Sequence, residues 1–254
     1  MPTKQADDSE GGGRMKHIVP VSGGKDSTAL ALKLKELYPE TDFIYPITPT
    51  GNELPEMFDH WKLLARRLGK PLTVLSSGRS LKGEIERQGA IPNWRMRFCT
   101  RLIKIEPFNQ FLWTQAPATV YVGFRADEPL EDREGNRVPE GIVQRFPMRE
   151  WGWTIGDVYN YLSEQEITIP ARTDCAWCFF QTIAEWKALL EKHPESFQEA
   201  IDIERRMNHT FRSPGRDTWP ADLQGLKEAF ESGRQPRNAP SMDARKAMCS
   251  VCAR

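Results

Sequence analysis

Short apolar runs alternate with segments of helical periodicity through the first half of the chain. The runs predict β-strands at residues 17–21, 42–47, 71–75 and 119–123, and Pro20 ends the first of them early. The segments between them predict helices at residues 28–37, 55–68 and 105–113, the second closed by Gly69. Alternation of strand and helix is typical of a parallel sheet covered by helices. We therefore expect an α/β fold, a Rossmann-like parallel sheet with helices on both faces.

The pattern changes near residue 170, where helical periodicity replaces the strand-like runs. Helices are predicted at residues 182–192, 195–207 and 223–232, and segments rich in Pro, Gly and Arg separate them. We expect three parts: a disordered leader at 1–15, a nucleotide-binding α/β domain at 16–170, and a helical, cysteine-bearing C-terminal region at 171–254.

Composition narrows the class of protein without naming a partner. The chain has 254 residues, with 35 basic and 35 acidic side chains, so its net charge predicts no polyanion partner, although a local basic patch remains open. No apolar run approaches the roughly 18 to 20 residues that span a bilayer. The polar first residues lack the apolar core of a secretory signal. These features predict a cytoplasmic protein without a membrane partner.

The stretch "IVPVSGGKDSTAL" holds the first candidate site. Its loop, Ser22-Gly23-Gly24-Lys25-Asp26-Ser27, lies between a predicted strand and a predicted helix. Two glycines allow a tight turn and close approach to a ligand, and the amides of a helix N-terminus suit a phosphate. Lys25 can neutralise charge on a leaving group. The spacing excludes a Walker motif, which has four residues between its first Gly and the Gly-Lys pair.

The loop resembles the pyrophosphate-binding loop of the adenine nucleotide α-hydrolase-like proteins, which include the ATP pyrophosphatases and the sulfonucleotide reductases. "TPTGNELPE" is similar to that group's Thr-Gly-x-Glu-x-Pro-Glu turn, and "VGFRADEP" to its Gly-x-Arg-x-x-Glu segment. "FPMREWGWTIGDVYNYL" is similar to a further segment of the same group. Together these motifs identify the chain as a member of the superfamily of proteins like phosphoadenosine phosphosulfate (PAPS) reductase.

The resemblance leaves two activities open. An ATP pyrophosphatase would adenylate a substrate, release pyrophosphate and then accept a sulfur nucleophile. A sulfonucleotide reductase would bind PAPS or its relative and transfer the sulfo group to a thiol. The reductases carry a C-terminal Glu-Cys-Gly-Leu/Ile-His motif that this chain lacks, although Cys249 or Cys252 could substitute. The intact loop favours ATP. A third interpretation stays open, in which the chain is a nucleotide-binding module without catalytic activity that acts in a larger complex.

If the chain is an ATP pyrophosphatase, the resemblance implies a role for each of the following residues. Ser22, Gly23, Gly24 and Ser27 would bind the nucleotide together with Lys25 and Asp26. Lys25 would stabilise the departing pyrophosphate, and Asp26 would help to hold Mg²⁺. Arg125 would clamp a phosphate in a bidentate manner. Glu53 or Glu128 would bind the ribose or the metal.

Four of the five cysteines form two C-x-x-C pairs, Cys175 with Cys178 and Cys249 with Cys252. In a cytosolic protein such pairs favour metal or redox chemistry over disulfides. Four thiolates suit Zn²⁺ or an iron–sulfur cluster. We therefore predict that these four cysteines bind an iron–sulfur cluster, with zinc as the alternative and reduced, buried thiols as the simplest reading.

The fifth cysteine, Cys99, lies among Arg95, Arg97, Arg101 and Lys104, and nearby cations lower a thiol pKa. Related sulfur-transfer proteins carry a similar Arg-x-Cys-Thr segment. Cys99 is therefore a candidate to carry sulfur, to ligate a cluster with the first pair, or to be buried.

The arginines around Cys99 could also bind a nucleic-acid backbone or a substrate phosphate. The partners left open are a nucleic-acid or small-molecule sulfur acceptor, a sulfur-donor protein and a second copy of this chain.

Overall fold

A computed structural model describes residues 15–129 and 138–236 of the chain. The predicted leader, except for Met15, and the second cysteine pair lie outside the described residues. Six short strands run through the first part, in the order β1 Lys16–Ile18, β2 Phe43–Ile44, β3 Pro46–Ile47, β4 Thr73–Val74, β5 Ala118–Tyr121 and β6 Ile142–Arg145. Every strand pairing among the described residues is parallel, as the sequence pattern predicted.

Two sets of strands make up the sheet. Strands pair in the order β2-β1-β5-β6, and β3 pairs with β4. His17 faces Phe43 on one side and Thr119 on the other, which sets the register around β1. The amide of Val21 donates to the carbonyl of Pro46 at 2.9 Å, so the chain after β1 continues alongside β3. The predicted strand at 42–47 is therefore two short strands that connect the two sets.

The helices have the following bounds: α1 Lys25–Leu37, α2 Pro55–Leu68, α3 Leu81–Gln88, α4 Glu106–Trp113, α5 Pro147–Glu150, α6 Ile155–Glu164, α7 Ile183–Lys192, α8 Pro194–Met207 and α9 Leu223–Glu231. A π-helix, Cys99–Ile105, precedes α4. No helix of the described residues is long and apolar enough to cross a membrane.

Helices cover both faces of the sheet, as predicted. Consecutive residues of the first strand segment point to opposite faces: Ile18 packs with Leu112 of α4, while Val19 joins the cluster formed with α1, α2 and α6. Both residues are fully buried. Burial of each large aliphatic side chain stabilises the fold by roughly 1.5 to 3 kcal/mol. The two buried layers therefore hold the carboxyl ends of the strands in place.

A separate hydrophobic cluster contains the helical C-terminal part. It joins α3 and the π-helix to α7, α8 and α9 around Trp177, Trp186 and Phe211. Trp177 and Trp186 are buried, so these two tryptophans serve packing and cannot stack on a base. Because residues from both sides of position 170 share this cluster, with Cys175 packed against it, the segment that carries Cys175 and Cys178 is held against α3 and the π-helix.

Several element boundaries differ from the predicted ones. Helix α1 begins at Lys25, three residues before the predicted start, so the loop leads into the helix without a break. The helix predicted from residue 105 begins at Glu106, directly after the π-helix. The prediction that Gly69 ends α2 is confirmed: Gly69 has a φ of 69°, and its amide bonds to two carbonyls of the last turn.

Candidate functional site

The loop from Ser22 to Ser27 is held closed by its own serines. The hydroxyl oxygens of Ser22 and Ser27 lie 2.9 Å apart, and the Ser22 amide donates to the Ser27 hydroxyl at 3.2 Å. The Ser27 hydroxyl in turn donates to the Gly24 carbonyl at 3.2 Å. Gly24 occupies the N-cap of α1 without a side-chain cap. The first amides of α1 are therefore available to an anion.

One face of α2 packs directly against Gly23. This glycine has a φ of +86°, and a Cβ atom there would lie 2.5 Å from Met57 Cε and 2.9 Å from Trp61 Nε1. The Trp61 Nε1 atom is buried and has no hydrogen-bond partner. His60 Nε2 lies 3.4 Å from the hydroxyl of Thr28. Burial lowers the pKa of His60, against a hydrogen bond with the Gly23 backbone, so the imidazole is neutral at pH 7.

Lys25 and Asp26 form an ion pair at the start of α1. Lys25 Nζ lies 3.1 Å from Asp26 Oδ2, and the other carboxylate oxygen of Asp26 accepts from Arg125 at 2.9 Å. Asp26 is thus held between its neighbour Lys25 and Arg125, which lies 99 residues further along the chain. This arrangement orients the loop, and it presents a carboxylate beside the open end of α1, where Mg²⁺ bound to a phosphate would need one.

Arg125 is buried within a carboxylate network. Besides Asp26, its guanidinium donates to Asp127 at 2.9 Å, and its own amide donates to Glu128 at 2.9 Å. Burial opposes the charge, but Asp26, Glu128 and Asp127 together raise the pKa of Arg125. Its side chain is only 3% exposed. The predicted phosphate clamp therefore requires Arg125 to exchange a carboxylate partner for the phosphate.

Two backbone features fix the Arg125 segment against the loop. A Cβ atom on Gly123 would lie 3.3 Å from the Asp26 carbonyl and from the Ser27 amide, so the end of β5 touches the start of α1. Arg149 donates to the carbonyls of Arg125 at 2.9 Å and Glu128 at 2.7 Å. Arg149 lies in the FPMREWGWTIGDVYNYL segment, but no pattern in the sequence indicates that it contacts these two carbonyls.

The turn at Thr50–Glu53 is organised by the predicted acid. The Glu53 carboxylate accepts from the Thr50 amide and hydroxyl, each at 2.6 Å, and from the Gly51 amide at 3.0 Å. Thr50 is buried. Glu53 thus holds the turn in shape, and a role in binding ribose or metal remains a prediction.

Three of the five cysteines converge on one small pocket. Cys99 enters it from the π-helix, while Cys175 and Cys178 enter from the segment before α7. Thr50, Thr100, Lys104, Asp174, Phe179 and Phe180 complete its lining. All three cysteines are free thiols and partly buried. Cys249 and Cys252 lie outside the described residues, so the four-cysteine site stays a prediction.

The thiols of the pocket shift one another's pKa values. A hydrogen bond between Cys175 and Cys178 lowers the pKa of Cys178 and raises that of Cys175. Burial raises the pKa of Cys99, and Cys178 adds to the rise, while Lys104 opposes it. The cation Lys104 does lower the Cys99 pKa, but burial outweighs it, so the expectation of a lowered pKa is wrong. Arg95 and Arg101 are exposed, so water screens their charge, whereas the thiol itself is desolvated.

The described parts of the chain contain no group of three or more His, Cys, Asp or Glu side chains already arranged to hold a metal ion. The chemistry of the donors nevertheless suits a soft metal, because three thiols share one pocket. Any metal bound there would require the thiol side chains to reorient.

The Ser22–Ser27 loop and the thiol pocket are linked through residues 173–178, the segment that contains the first C-x-x-C pair. The Ala176 amide, within the C-x-x-C segment, donates to the Asn52 carbonyl of the Thr50–Glu53 turn at 2.7 Å. Thr173 Oγ1 lies 3.8 Å from the position that a Gly24 Cβ would take. The predicted residues of the two motifs are thus adjacent in space. The sequence analysis did not predict that His60 and Thr173 lie beside the loop. For His60, a signal was available: Met57, His60 and Trp61 are spaced along one face of a predicted helix.

The model of the phosphoadenosine phosphosulfate reductase domain matches residues 16–171, which is more than half of the chain. No curated protein matches the chain significantly in sequence.

Solved structures with similarity to this chain include three enzymes. A PAPS reductase from Candida auris, in a phosphate complex, has 17% identity and a TM-score of 0.47, covering 61% of this chain and 74% of that one. The U34-tRNA thiolase NcsA from Methanococcus maripaludis, with its [4Fe-4S] cluster, has 14% identity and a TM-score of 0.47, covering 94% and 80%.

The third is an NH₃-dependent NAD synthetase from Campylobacter jejuni in complex with nitrate, with 12% identity and a TM-score of 0.40, covering 89% of each chain. The family model, with its match over residues 16–171, confirms the resemblance carried by the sequence motifs. The chain belongs to the PAPS reductase-like family.

Proposed function

We propose that this protein is an ATP pyrophosphatase that adenylates a substrate and so prepares it for sulfur transfer. The observation that carries the proposal is the closeness of an intact Ser22–Ser27 loop to the segment that brings Cys175 and Cys178 into a pocket of three thiols. The loop has the features needed to bind the pyrophosphate part of ATP. The thiols supply soft donors a short distance away.

In the first half-reaction, an oxygen of the substrate attacks the α-phosphorus of ATP. The bond from that phosphorus to the bridging oxygen breaks, and pyrophosphate leaves. The amides at the start of α1 and the Lys25 ammonium stabilise the charge on this leaving group. Asp26 would hold Mg²⁺, which neutralises phosphate charge when bound. Gly23 has no side chain and packs closely against α2, which lets the loop backbone approach the phosphates.

In the second half-reaction, sulfide or a persulfide sulfur adds to the activated carbon, and AMP leaves with the former substrate oxygen. A persulfide donor first forms a disulfide with the substrate through its outer sulfur, and a thiolate then attacks the donor's inner sulfur, which releases the thiolated substrate and leaves a disulfide between the donor and that thiol. Cys99, Cys175 and Cys178 would hold an iron–sulfur cluster or zinc. An iron–sulfur cluster held by three thiols supplies an open position for sulfide. The buried ring of Phe179, which lines the pocket, limits the access of water.

A PAPS reductase activity is the second candidate, and the family model itself favours it. In that reaction a thiolate attacks the sulfur of the sulfonucleotide, and adenosine bisphosphate leaves. The intact loop argues for ATP because a sulfonucleotide has no β,γ-pyrophosphate for it to bind. A nucleotide-binding module without catalytic activity is a third candidate.

Product analysis separates these candidates. The full-length protein is incubated anaerobically with Mg²⁺-ATP, sulfide, and pools of RNA or small metabolites, and AMP and pyrophosphate are quantified. We expect both products in equal amounts, and a loss of about 10²-fold or more in Lys25→Ala. Lys62→Ala, a variant of an exposed lysine on α2, is the matched control and should match the wild type.

The same preparation is tested with PAPS and a dithiol. Release of sulfite without ATP binding would overturn the pyrophosphatase proposal and establish the reductase. Binding of ATP without turnover of either nucleotide, across all substrate pools, would support the non-catalytic module.

A further inference from the structure

The segment that carries Cys99 has an unusual local charge. From Asn93 to Lys104 it contains four cationic side chains and no carboxylate, although the whole chain is balanced at 35 of each sign. Arg95 and Arg101 are exposed on this segment. A local excess of this kind attracts an anionic partner even when the net charge of the protein is zero.

Large apolar side chains are exposed on the same surface. Trp94 is 60% exposed, Met96 46% and Phe180 38%. The Arg95 guanidinium lies 4.5 Å from the centre of the Trp94 ring, and the Arg97 guanidinium 5.5 Å from that of Phe180. Surface tryptophans are uncommon because the indole contributes most when it is buried. The alternation of flat rings and cations matches the chemistry of nucleobases and phosphates.

This surface borders the thiol pocket. Phe180 lines the pocket and also lies under Arg97. Cys99 and Arg101 belong to the same π-helix, with Cys99 turned into the pocket and Arg101 exposed to solvent. A strand of nucleotides lying across the surface would therefore bring one of its bases to the pocket mouth.

We propose that the surface formed by Trp94, Arg95, Met96, Arg101 and Phe180 binds a single-stranded nucleic acid, which is the sulfur acceptor. This inference rests on the proposed function and names its substrate class. An unpaired base stacks on Trp94, while Arg95 and Arg101 contact neighbouring phosphates. A duplex fits less well, because its bases are stacked on each other and leave no face for the indole.

Fluorescence anisotropy with labelled oligonucleotides tests the surface on the full-length protein. Single-stranded RNA and DNA of the same sequence are two arms, which distinguish the two sources of the shared chemistry. A duplex of that sequence is a third arm. We expect binding to at least one single strand and binding at least tenfold weaker to the duplex.

Variants with matched controls locate the contact. Trp94→Ala should weaken single-strand binding by roughly 5-fold to 100-fold, and Trp94→Phe should retain most of it, as expected for a stacking contact. Trp113→Ala removes another exposed tryptophan, 68% exposed at the far end of α4, and should leave binding unchanged. Arg101→Ala should reduce the salt-dependence slope by about 0.7, whereas Arg66→Ala on α2 should not.

Equal effects of Trp94→Ala and Trp113→Ala, or equal binding of duplex and single strand, would overturn the inference. Equal competition by polyglutamate would also overturn it, because it would indicate an acidic protein partner or unspecific charge. Pyrophosphate release is measured separately. Oligonucleotide binding without ATP turnover refutes the proposed function alone, and ATP turnover without oligonucleotide binding refutes the surface alone.

Discussion

Gly23 and Gly24 are adjacent in the sequence, but the structure predicts opposite consequences for replacing them. Gly23 has a φ of +86°, and its Cβ position is 2.5 Å from Met57 Cε and 2.9 Å from Trp61 Nε1. Gly24 has a φ of −73°, and its nearest neighbour is Ser22 Oγ at 3.4 Å, an ordinary contact. Only the first position therefore requires glycine.

The expected cost of Gly23→Ala has two parts. The left-handed backbone costs an alanine roughly 1 to 2 kcal/mol. Forcing a methyl group into the packed face of α2 costs about 1 to 3 kcal/mol more. For a chain of this length the sum of about 2 to 5 kcal/mol lowers the Tm by roughly 5 to 15 °C. Gly24→Ala should cost less than about 1 kcal/mol.

Thermal unfolding and Mg²⁺-ATP binding are measured together, because the loop can relieve the contact by moving. A loop that moves would spare the Tm of Gly23→Ala and weaken ATP binding instead. The steric part is isolated by adding Met57→Ala, which should couple to Gly23→Ala by at least about 0.5 kcal/mol. If Gly23→Ala and Gly24→Ala have the same Tm and the same ATP affinity, the packing argument is wrong.

Three further predictions address other parts of the molecule. Burial raises the pKa of Glu204 to about 7 from an unfolded value of 4.5. Stability that is present below pH 4.5 should therefore be lost as the pH rises to about 7, by at most about 3 kcal/mol. Urea unfolding at several pH values should show this slope, and Glu204→Gln should flatten it. Arg149→Ala removes two bonds to backbone carbonyls, so ATP binding should weaken by roughly 10-fold or more, and Arg149→Lys should not restore the paired contact. Cys178→Ser should remove most of the iron or zinc measured in anaerobic protein; unchanged metal content would contradict a site in the thiol pocket.

The parts of the fold that were predicted correctly have strong local signals. Helix α2 combines regular apolar spacing with Pro55 at its start and Gly69 at its end. Helix α3 was missed because it is short and polar, although Ser80 caps it by accepting from the Gly83 amide at 3.2 Å. The π-helix at Cys99–Ile105 has no sequence signature, since its hydrogen-bond pattern depends on packing against α3 and α4.

The candidate site also has parts that could be predicted from the sequence and parts that could not. The Ser22–Ser27 loop was predicted because strand, glycines and helix are consecutive in sequence. The partners of Arg125 were not, because Asp26 is 99 residues away and only the sheet order β1-β5 brings them together. The rise in the Cys99 pKa was missed for a related reason: burial is a tertiary property, whereas the nearby cations are visible in the sequence.

The short connection between the loop and the thiol pocket has a consequence for the proposed reaction. An adenylated substrate is reactive toward water, so a separate sulfur site would lose intermediate during transfer. Here the Asn52 carbonyl is bonded to the Ala176 amide, and Glu53, the next residue, holds the turn that carries it. Movement of this turn on nucleotide binding would therefore displace the C-x-x-C segment as well. Because Thr173 approaches Gly24, and Asp174 and Cys175 directly after it line the thiol pocket, we expect sulfur delivery close to the place where the substrate is activated, without release of the adenylate.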